Sequence, residues 1–427
     1  MGKTSRFLLI AVLVVLFCLP CVNLAGAAVT LTWWHTEDPT MAKPYVEIVK
    51  AFEKQNKGIK VNLQSIPYDG YTDKFLTSYA AGKAPDIFYN FDLLGFGKRG
   101  VAQELTPYIK GKDGVNMRIY DTKMLENFLY LNGKIYAMPR DVGLQAIYYN
   151  KDLFDAAGVP YPKSDWTLDD FVAIAKKLTI PEKQQYGCDM VDGAEIQEAF
   201  GVHFWDKTRR KVTINTPAFV KFMQWRMDLE LKHKVCPTPS MMATLGGQAS
   251  GGGPADAFKT GKLAMIGADN WSVSQFKEAK MNFGIVCKPH KKGDKVYEGW
   301  VGTWSMSANS KHKKEAWKLL KFMTGPKGCE IMAKAWAMPP VLSVMKKIKW
   351  DQDPHNKAFA DIVRNGRPFE SWFNDVPDVW NIMGPYWDMP NILREGNKPI
   401  EQVVADVAKQ MQEKLDLAWE QVDKVSK

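Results

Sequence analysis

The stretch VTLTWWHTEDPTMAKPYVEIVKAF, residues 29–52, decides the fold class. Its first six residues alternate in character and are rich in β-branched and aromatic side chains, which predicts a strand. Asp38 is the predicted N-cap of the helix that follows, with Pro39 at its first position. The next apolar residues repeat at helical spacing: Tyr45, Ile48, Val49 and Phe52. Such a helix packs one face on a sheet, so the stretch predicts a strand–helix unit.

The alternation of strand and helix continues after this unit. IKVNLQSI (59–66) alternates as a second strand, DKFLTSYAAGK (73–83) predicts a helix closed by Gly82, and APDIFYN (84–90) predicts a short third strand. Strand, helix, strand, helix, strand indicates a parallel α/β sheet. Further strands are predicted at 143–150, 262–270 and 281–289, and a helix that ends at Gly325 is predicted near 316–323.

Length and composition favour two domains of an ordinary globular protein. The chain has 427 residues, more than one core normally uses. Its hydrophobic fraction is 46% and its charged fraction 24%, as in soluble proteins. The net charge of +10 is modest for this length and is not gathered in a long basic arm, so nucleic-acid binding is not expected.

The first 27 residues are predicted to be a signal peptide. Lys3 and Arg6 precede a short apolar run, and Ala25-Gly26-Ala27 has the small side chains of a cleavage site. No lipoprotein site is expected, because bulky or rigid residues precede Cys18 and Cys21. The prediction is an exported, periplasmic protein.

Four cysteines remain beyond this segment, and an exported compartment permits disulfides between them. Their pairing stays open, since Cys188, Cys236, Cys287 and Cys329 allow three connectivities. No pair has the spacing of a metal site, so neither a metal nor a cofactor is expected.

Enzyme signatures are weak. Gly95, Gly97 and Gly100 have the spacing of a dinucleotide fingerprint, but Pro107 follows too soon for the required helix. Neither a zinc-protease motif nor a serine-hydrolase elbow occurs. A glycosidase carboxylate pair has no motif of its own and remains an alternative.

Aromatic and short polar side chains gather where the predicted strands end. His35 and Glu37 follow the first strand, Asn90 and Asp92 follow the third, and Trp271 follows a later one. Ligands of open α/β sheets bind beyond the carboxyl ends of the strands. Flat apolar faces beside hydrogen-bonding groups suit a sugar. Strand alternation directs one tryptophan of the pair at 33–34 inward, and we expect it to be the first.

Four segments carry a resemblance to a known family. They are YYNKDLFDAAGVPYPKSDWTLDDF (148–171), AAGKAPDIFYNFD (80–92), GKLAMIGADNWSV (261–273) and EGWVGTWSMSANSKHKKEAWKLLKFMTG (298–325). They resemble segments of the bacterial extracellular solute-binding proteins, sugar-binding class, and occur in that family's order. The resemblance covers nearly the whole chain after the signal peptide. It is specific for the class and not for the ligand.

The resemblance implies an α/β fold of two lobes joined by three crossing segments, with a ligand cleft between the lobes. The crossings are expected near 139–143, 286–289 and 324–326. One lobe would then comprise 28–140 with 289–325, and the other 141–288 with 326–427. The implied ligand-binding residues are Trp34, His35, Glu37, Tyr68, Asn90, Asp92, Trp271, Trp300, Trp304, Arg367, Trp372 and Trp380.

The implied function is that of the substrate-binding subunit of an ABC-type sugar importer, a monomer without enzymatic activity. Its partners would be a carbohydrate ligand and the transmembrane permease subunits. A maltodextrin is not indicated, because Gly143 stands where maltodextrin-binding members carry an acidic residue. Two alternatives remain: a binding protein for an anionic solute such as a sugar phosphate or uronate, and a periplasmic glycosidase.

Overall fold

The computed structural model describes residues 28–120, 128–245, 253–369 and 376–425. The predicted signal peptide and Trp372 lie outside the described residues. The strands are β1 Val29–His35, β2 Ile59–Ser65, β3 Ile87–Tyr89, β4 Tyr130–Leu131, β5 Lys134–Ile135, β6 Met138–Asn150, β7 Met265–Asp269, β8 Phe283–Val286, β9 Val296–Tyr297, β10 Gly299–Met306 and β11 Arg367–Pro368.

Helices lie on both sides of these strands. They are α1 Lys43–Gln55, α2 Tyr71–Ala80, α3 Leu93–Lys98, α4 Thr106–Lys110, α5 Lys151–Ala157, α6 Leu168–Leu178, α7 Ala194–Ala199, α8 Pro217–Leu231, α9 Pro239–Leu245, α10 Pro254–Lys259, α11 Ser272–Glu278, α12 Lys313–Thr324, α13 Pro326–Ala335, α14 Leu342–Lys347, α15 Pro354–Asn365, α16 Val379–Glu395 and α17 Ile400–Val425. Among the described helices, none combines the length and the apolar character that crossing a bilayer requires.

The main sheet has the order β2-β1-β3-β10-β6-β7, and β8 also pairs with β6. The first strand runs parallel to both β2 and β3, as predicted. Strands β7, β8 and β10 pair antiparallel to β6, and β10 also pairs antiparallel to β3. The sheet is therefore mixed, with its parallel part at the N-terminal edge.

Strand β6 joins two lobes. Its first half pairs with β10, and its second half pairs with β7 and β8. One core, called the first core, packs α1, α12 and α13 against the N-terminal strands. A smaller cluster around Trp34 and Phe88 lies on the opposite face of these strands. Two further clusters lie around β6 and the C-terminal helices. The expected crossing at 139–143 thus lies inside one continuous strand.

The third crossing comes later than the sequence suggested. Cys329 and Met332 of α13 and Val344 of α14 are buried in the first core, so the chain does not leave that lobe at 324–326. The indole of Trp336 also donates a hydrogen bond to the carbonyl of Met41, 3.0 Å away. Apolar packing against α1 thus keeps α13 in the first core, whereas Met338 and Met345 pack in another cluster.

Helix α1 begins at Lys43, not beside Asp38. The Asp38 carboxylate instead accepts hydrogen bonds from the backbone of Thr40 and Met41, at 2.7 and 3.2 Å. It closes a separate turn, and Pro44 takes the early helical position that was predicted for Pro39. The loop after β1 is longer than predicted as a result.

Candidate functional site

A cavity of about 430 Å³ lies between the lobes, beyond the carboxyl ends of β3 and β7. Both lobes and α16 contribute to its wall. The lining residues are Tyr68, Tyr89, Asn90, Phe91, Leu93, Phe128, Gln145, Asp192, Gly193, Gln197, Asp269, Trp271, Glu298, Trp300, Val301, Thr303, Trp380, Met383, Tyr386 and Trp387. The volume falls within the roughly 300–1,000 Å³ that is usual for small-molecule sites.

Two indoles form one wall. The rings of Trp271 and Trp300 meet edge to face, with centroids 5.4 Å apart. Trp300 lies directly over the backbone of Gly143, where an added Cβ would come within 2.2 Å of the indole. Glycine at position 143 therefore admits the Trp300 ring to its place on β6.

More aromatic rings lie across the cavity. Trp380 and Trp387 project from α16 with centroids 5.7 Å apart, and each is a little over two-fifths exposed. Tyr68 lies 5.1 Å from Phe91 on the N-terminal side. The cavity thus offers flat apolar surfaces on several sides.

The polar part of the wall is acidic. Asp192, Asp269 and Glu298 line the cavity, whereas none of its described lining residues is lysine, arginine or histidine. Asp269 Oδ1 is buried without a hydrogen-bond partner. Burial raises the pKa of Asp269 to about 6 and also raises the pKa of Glu298. The wall thus carries carboxylates that can accept hydrogen bonds from a ligand.

Behind the wall these carboxylates join a set of charges that we call the pocket network: Lys288, Glu195, Glu298, Asp192 and Asp269. Lys288 is fully buried, with Nζ 2.8 Å from the Gln145 amide oxygen and 3.4 Å from Glu195. Burial lowers the pKa of Lys288, but the carboxylates of Glu195 and Glu298 outweigh this and raise it. The ammonium group therefore stays charged and holds the acidic wall together.

Asp192 has separate support from α8 and α16. Arg226 lies 3.3 Å from its carboxylate, and the Tyr386 hydroxyl donates a short hydrogen bond to it. Burial raises the pKa of Asp192, but Arg226 and Tyr386 outweigh burial and lower it. This carboxylate is ionised and fixed in place.

A second group of charges, the sealed network, lies under the loop after β1. It comprises Arg140, Glu37, Asp141, His35 and Tyr45. The Arg140 guanidinium donates short hydrogen bonds to Glu37 and Asp141 and one of 3.1 Å to Tyr45. His35 Nδ1 lies 3.6 Å from Glu37. None of these five side chains is among the residues that line the cavity.

Comparison with known proteins identifies the architecture. A model of the family described as bacterial extracellular solute-binding protein matches residues 38–328, about two thirds of the chain. The chain belongs to this family.

Relatives of this solute-binding protein agree with the assignment. A Brucella abortus protein named only as a binding protein is 29% identical over 298 residues, which cover 66% of this chain and 68% of the relative. The multiple sugar-binding protein of Streptococcus mutans is 27% identical over 372 residues, which cover 82% of this chain and 80% of the relative.

A solved structure shares the fold. An ABC substrate-binding protein of Listeria monocytogenes, in complex with cycloalternan, matches with a TM-score of 0.79 at 24% identity. The match covers 91% of this chain and 99% of that chain. The likeness shows a two-lobed binding-protein fold.

Five of the predicted site residues lie in the wall of the cavity: Tyr68, Asn90, Trp271, Trp300 and Trp380. For the first four the signal was an aromatic or amide side chain just after a predicted strand or in a family segment. Trp380 was implied only by its place in the C-terminal region, where the family commonly supplies stacking groups. The Asn90 side chain donates to Ser305 at 2.9 Å and accepts from the Asp92 backbone at 3.1 Å, which fixes its orientation.

The other predicted residues are engaged elsewhere. His35 and Glu37 belong to the sealed network. Trp34 donates to the Gln64 amide at 2.8 Å, and Trp304 is buried against Trp33.

Two further predicted residues also have structural partners. Asp92 caps α3 by accepting from Gly95 at 2.8 Å. Arg367 pairs with Asp294 and Glu198 on the surface, each at 2.8 Å.

Sequence reasoning missed much of the acidic wall. Asp192, Glu298, Gln145, Gln197 and Tyr386 were not among the predicted site residues. Glu298 is the first residue of the family segment that was singled out for Trp300, and that position was the available signal. Asp192 and Tyr386 meet only through tertiary contact, almost 200 residues apart in sequence. Among the residues that the structure describes, no cluster of side chains is suited to hold a metal ion.

Proposed function

We propose that this solute-binding protein captures a neutral mono- or oligosaccharide in the cavity and delivers it to the permease subunits of an ABC-type importer. The cavity carries the proposal: indole faces suited to sugar rings and carboxylates suited to hydroxyl groups line the same space. The names of relatives agree with a sugar, since the Streptococcus mutans protein is named a multiple sugar-binding protein.

The charge of the wall argues against the anionic alternative. Three carboxylates line the cavity without a lining lysine or arginine among the described residues. The nearest ammonium group, on Lys288, is fully buried and already engaged by Gln145 and Glu195. A sugar phosphate or uronate would bring another negative charge beside three carboxylates and would meet no cationic side chain among the described lining residues, which disfavours binding.

We also propose that the two lobes close on the ligand as rigid bodies about β6 and the later crossings, and that the protein acts as an exported monomer. The basic and apolar residues at the N-terminus support removal of residues 1–27 as a signal peptide. An extracellular family supports export. Hinge closure around a ligand is the usual response of such folds.

The proposal is tested by titration calorimetry with matched ligands. The panel contains neutral mono-, di- and trisaccharides and, for each skeleton, the uronate or phosphate. We expect at least one neutral sugar to bind, with its anionic counterpart at least about tenfold weaker, equal to about 1.4 kcal/mol. Affinity for the neutral sugar should change little between low salt and about 0.5 M salt, because few ion pairs form.

Two results would overturn the proposal. One is tight binding of an anionic member with a steep loss of affinity in salt. The other is release of smaller sugars during the titration, which chromatography of the recovered ligand detects and which would indicate a glycosidase.

A further inference from the structure

Two cysteines of the second lobe lie side by side below the cavity. The Sγ atoms of Cys188 and Cys236 are 3.3 Å apart. Their backbones are already joined, because the amide of Cys188 donates to the carbonyl of Val235 at 3.1 Å. The thiol of Cys236 in turn faces the Asp189 carbonyl at 3.0 Å. Two chain segments are thus held in register with their sulfur atoms facing each other.

This arrangement is close to the geometry of a disulfide. An S–S bond is about 2.05 Å long, so the two sulfur atoms need to approach by roughly 1 Å. We expect rotation of the two side chains to supply a movement of that size. A cysteine pair whose Cβ vectors pointed apart would require the backbone itself to move.

We propose that Cys188 and Cys236 form a disulfide in the exported protein. The oxidant is a disulfide carrier, either a thiol oxidase or a small-molecule disulfide. One cysteine thiolate attacks the carrier's S–S bond, and the second cysteine then displaces the carrier from the mixed disulfide. The Sγ–Sγ bond forms, the carrier's bond breaks, and two electrons and two protons pass to the carrier as its dithiol.

Because both thiols are buried in the folded chain, the disulfide must form during folding. Cys188 is fully buried and Cys236 is 3% exposed, so a carrier reaches neither in the folded chain. Burial also raises the pKa of the Cys236 thiol well above its usual value, which removes the reactive thiolate. The bond therefore forms before the core closes, and afterwards the core shields it from reductants.

The bond would stabilise the acidic wall of the cavity. Cys188 lies four residues before Asp192, and Cys236 follows α8, the helix that carries Arg226. The ion pair of Asp192 and Arg226 bridges the same two segments at 3.3 Å. A disulfide would hold both segments covalently where the ion pair holds them electrostatically. The proposal does not depend on which ligand the cavity takes.

The direct test is thiol mapping of the full chain. The protein is exported with its own N-terminal segment, recovered without reductant, denatured with an alkylating agent and digested with trypsin. We expect the peptides that contain Cys188 and Cys236 to appear as one linked species that separates on reduction. Cys287 and Cys329 should be alkylated, because one contacts the Ser164 carbonyl and the other is buried in the first core. Alkylation of all four thiols would overturn the proposal.

Serine variants supply a second readout. We expect Cys188→Ser, Cys236→Ser and the double variant to lower Tm by about the same amount, about 5–10 °C, since each breaks the same bond. Reductant added to the unfolded and refolding parent should reproduce that loss and leave the double variant unchanged. Cys287→Ser is the matched control, whose Tm should keep the parent's sensitivity to reductant. Additive single losses would indicate packing alone. If the variants do not fold, the thiol map of the parent decides.

Discussion

The protein buries two networks of charge that differ in what surrounds them. In the sealed network, Arg140 is 8% exposed and meets Glu37 and Asp141 directly. Three aromatic rings also lie under its guanidinium, those of Tyr89, Trp304 and Trp336. Both carboxylates pair with Arg140, although Asp141 Oδ2 and His35 Nδ1 are buried without a hydrogen bond. None of the side chains of the sealed network lines the cavity.

The pocket network reaches the cavity. Lys288 pairs with Glu195 Oε2 at 3.4 Å, and Asp269 Oδ1 is buried without a hydrogen bond. Burying an unpartnered acceptor costs on the order of 1–3 kcal/mol. We expect the Asp269 carboxylate, which lines the cavity, to gain a partner when a ligand with hydroxyl groups binds.

Two carboxylates, one from each network, show how their surroundings set the pKa. Burial raises the pKa of Glu37, but Arg140 and His35 outweigh burial and lower it to about 2. Its contribution to stability is therefore complete above about pH 4.5 and is lost as the pH falls towards 2. Burial instead raises the pKa of Asp269 to about 6, so ionising it in the empty cavity destabilises the fold. Ionised Glu37 thus strengthens the fold, whereas ionised Asp269 weakens it.

The largest expected effect comes from removing the cation of the sealed network. Arg140→Met keeps much of the side-chain volume but leaves Glu37 and Asp141 buried without a counter-charge. We expect the free energy of unfolding to fall by about 3–5 kcal/mol, measured by urea denaturation. Arg367→Met removes an exposed ion pair and should cost no more than about 1 kcal/mol. Equal losses of unfolding free energy in the two variants would contradict the expected difference between a buried network and a surface pair.

A smaller effect, on binding instead of folding, is expected from the wall of the cavity. Trp271→Ala removes one platform of the indole pair and should weaken binding of the identified sugar by at least about tenfold. Titration calorimetry at matched protein concentration measures this loss of affinity. Trp317→Ala is the control: that indole is buried in the first core, so the change should cost about 3–5 kcal/mol of stability. The folded fraction of the control should bind as the parent does.

The smallest effect concerns the unpartnered carboxylate. Sugar hydroxyl groups donate to the ionised form of Asp269, so affinity should rise as the pH increases through about 6. We expect a gain of roughly threefold to tenfold between pH 5 and 7.5. Asp269→Asn should flatten this profile, whereas Asp294→Asn, the same change on the surface, should leave it intact. An unaltered slope in Asp269→Asn would assign the titration to another group.

Local pattern predicted the elements of the fold better than their boundaries. Alternation in β1 placed Trp33 inward, and the structure confirms it: Trp33 lies in the first core and Trp34 in a separate cluster on the opposite face. The start of α1 was predicted wrongly, because Asp38 has the side chain of an N-cap but closes a turn of its own. Local sequence does not distinguish these two uses of a carboxylate.

Site residues could be predicted where they lie at the ends of strands. They could not be predicted where their place depends on a partner that is distant in sequence. Trp271 and Trp300 line the cavity as their positions suggested. Glu37 has the same kind of position, yet Arg140, 103 residues away, draws its carboxylate into the core. We therefore expect Glu37→Ala to lower the stability of the fold and not to weaken ligand binding directly. Which carboxylate meets a cation and which faces a cavity is decided by tertiary packing.

Gly143 has a consequence for how such proteins diverge. A Cβ atom at this position would collide with the Trp300 indole. A single methyl group at this position would move the indole, although residue 143 is not itself part of the cavity wall. Ligand preference among descendants of this chain should therefore shift through a position that never contacts the ligand. An inventory of contact residues alone would group such descendants together and overlook the substitution that separates them.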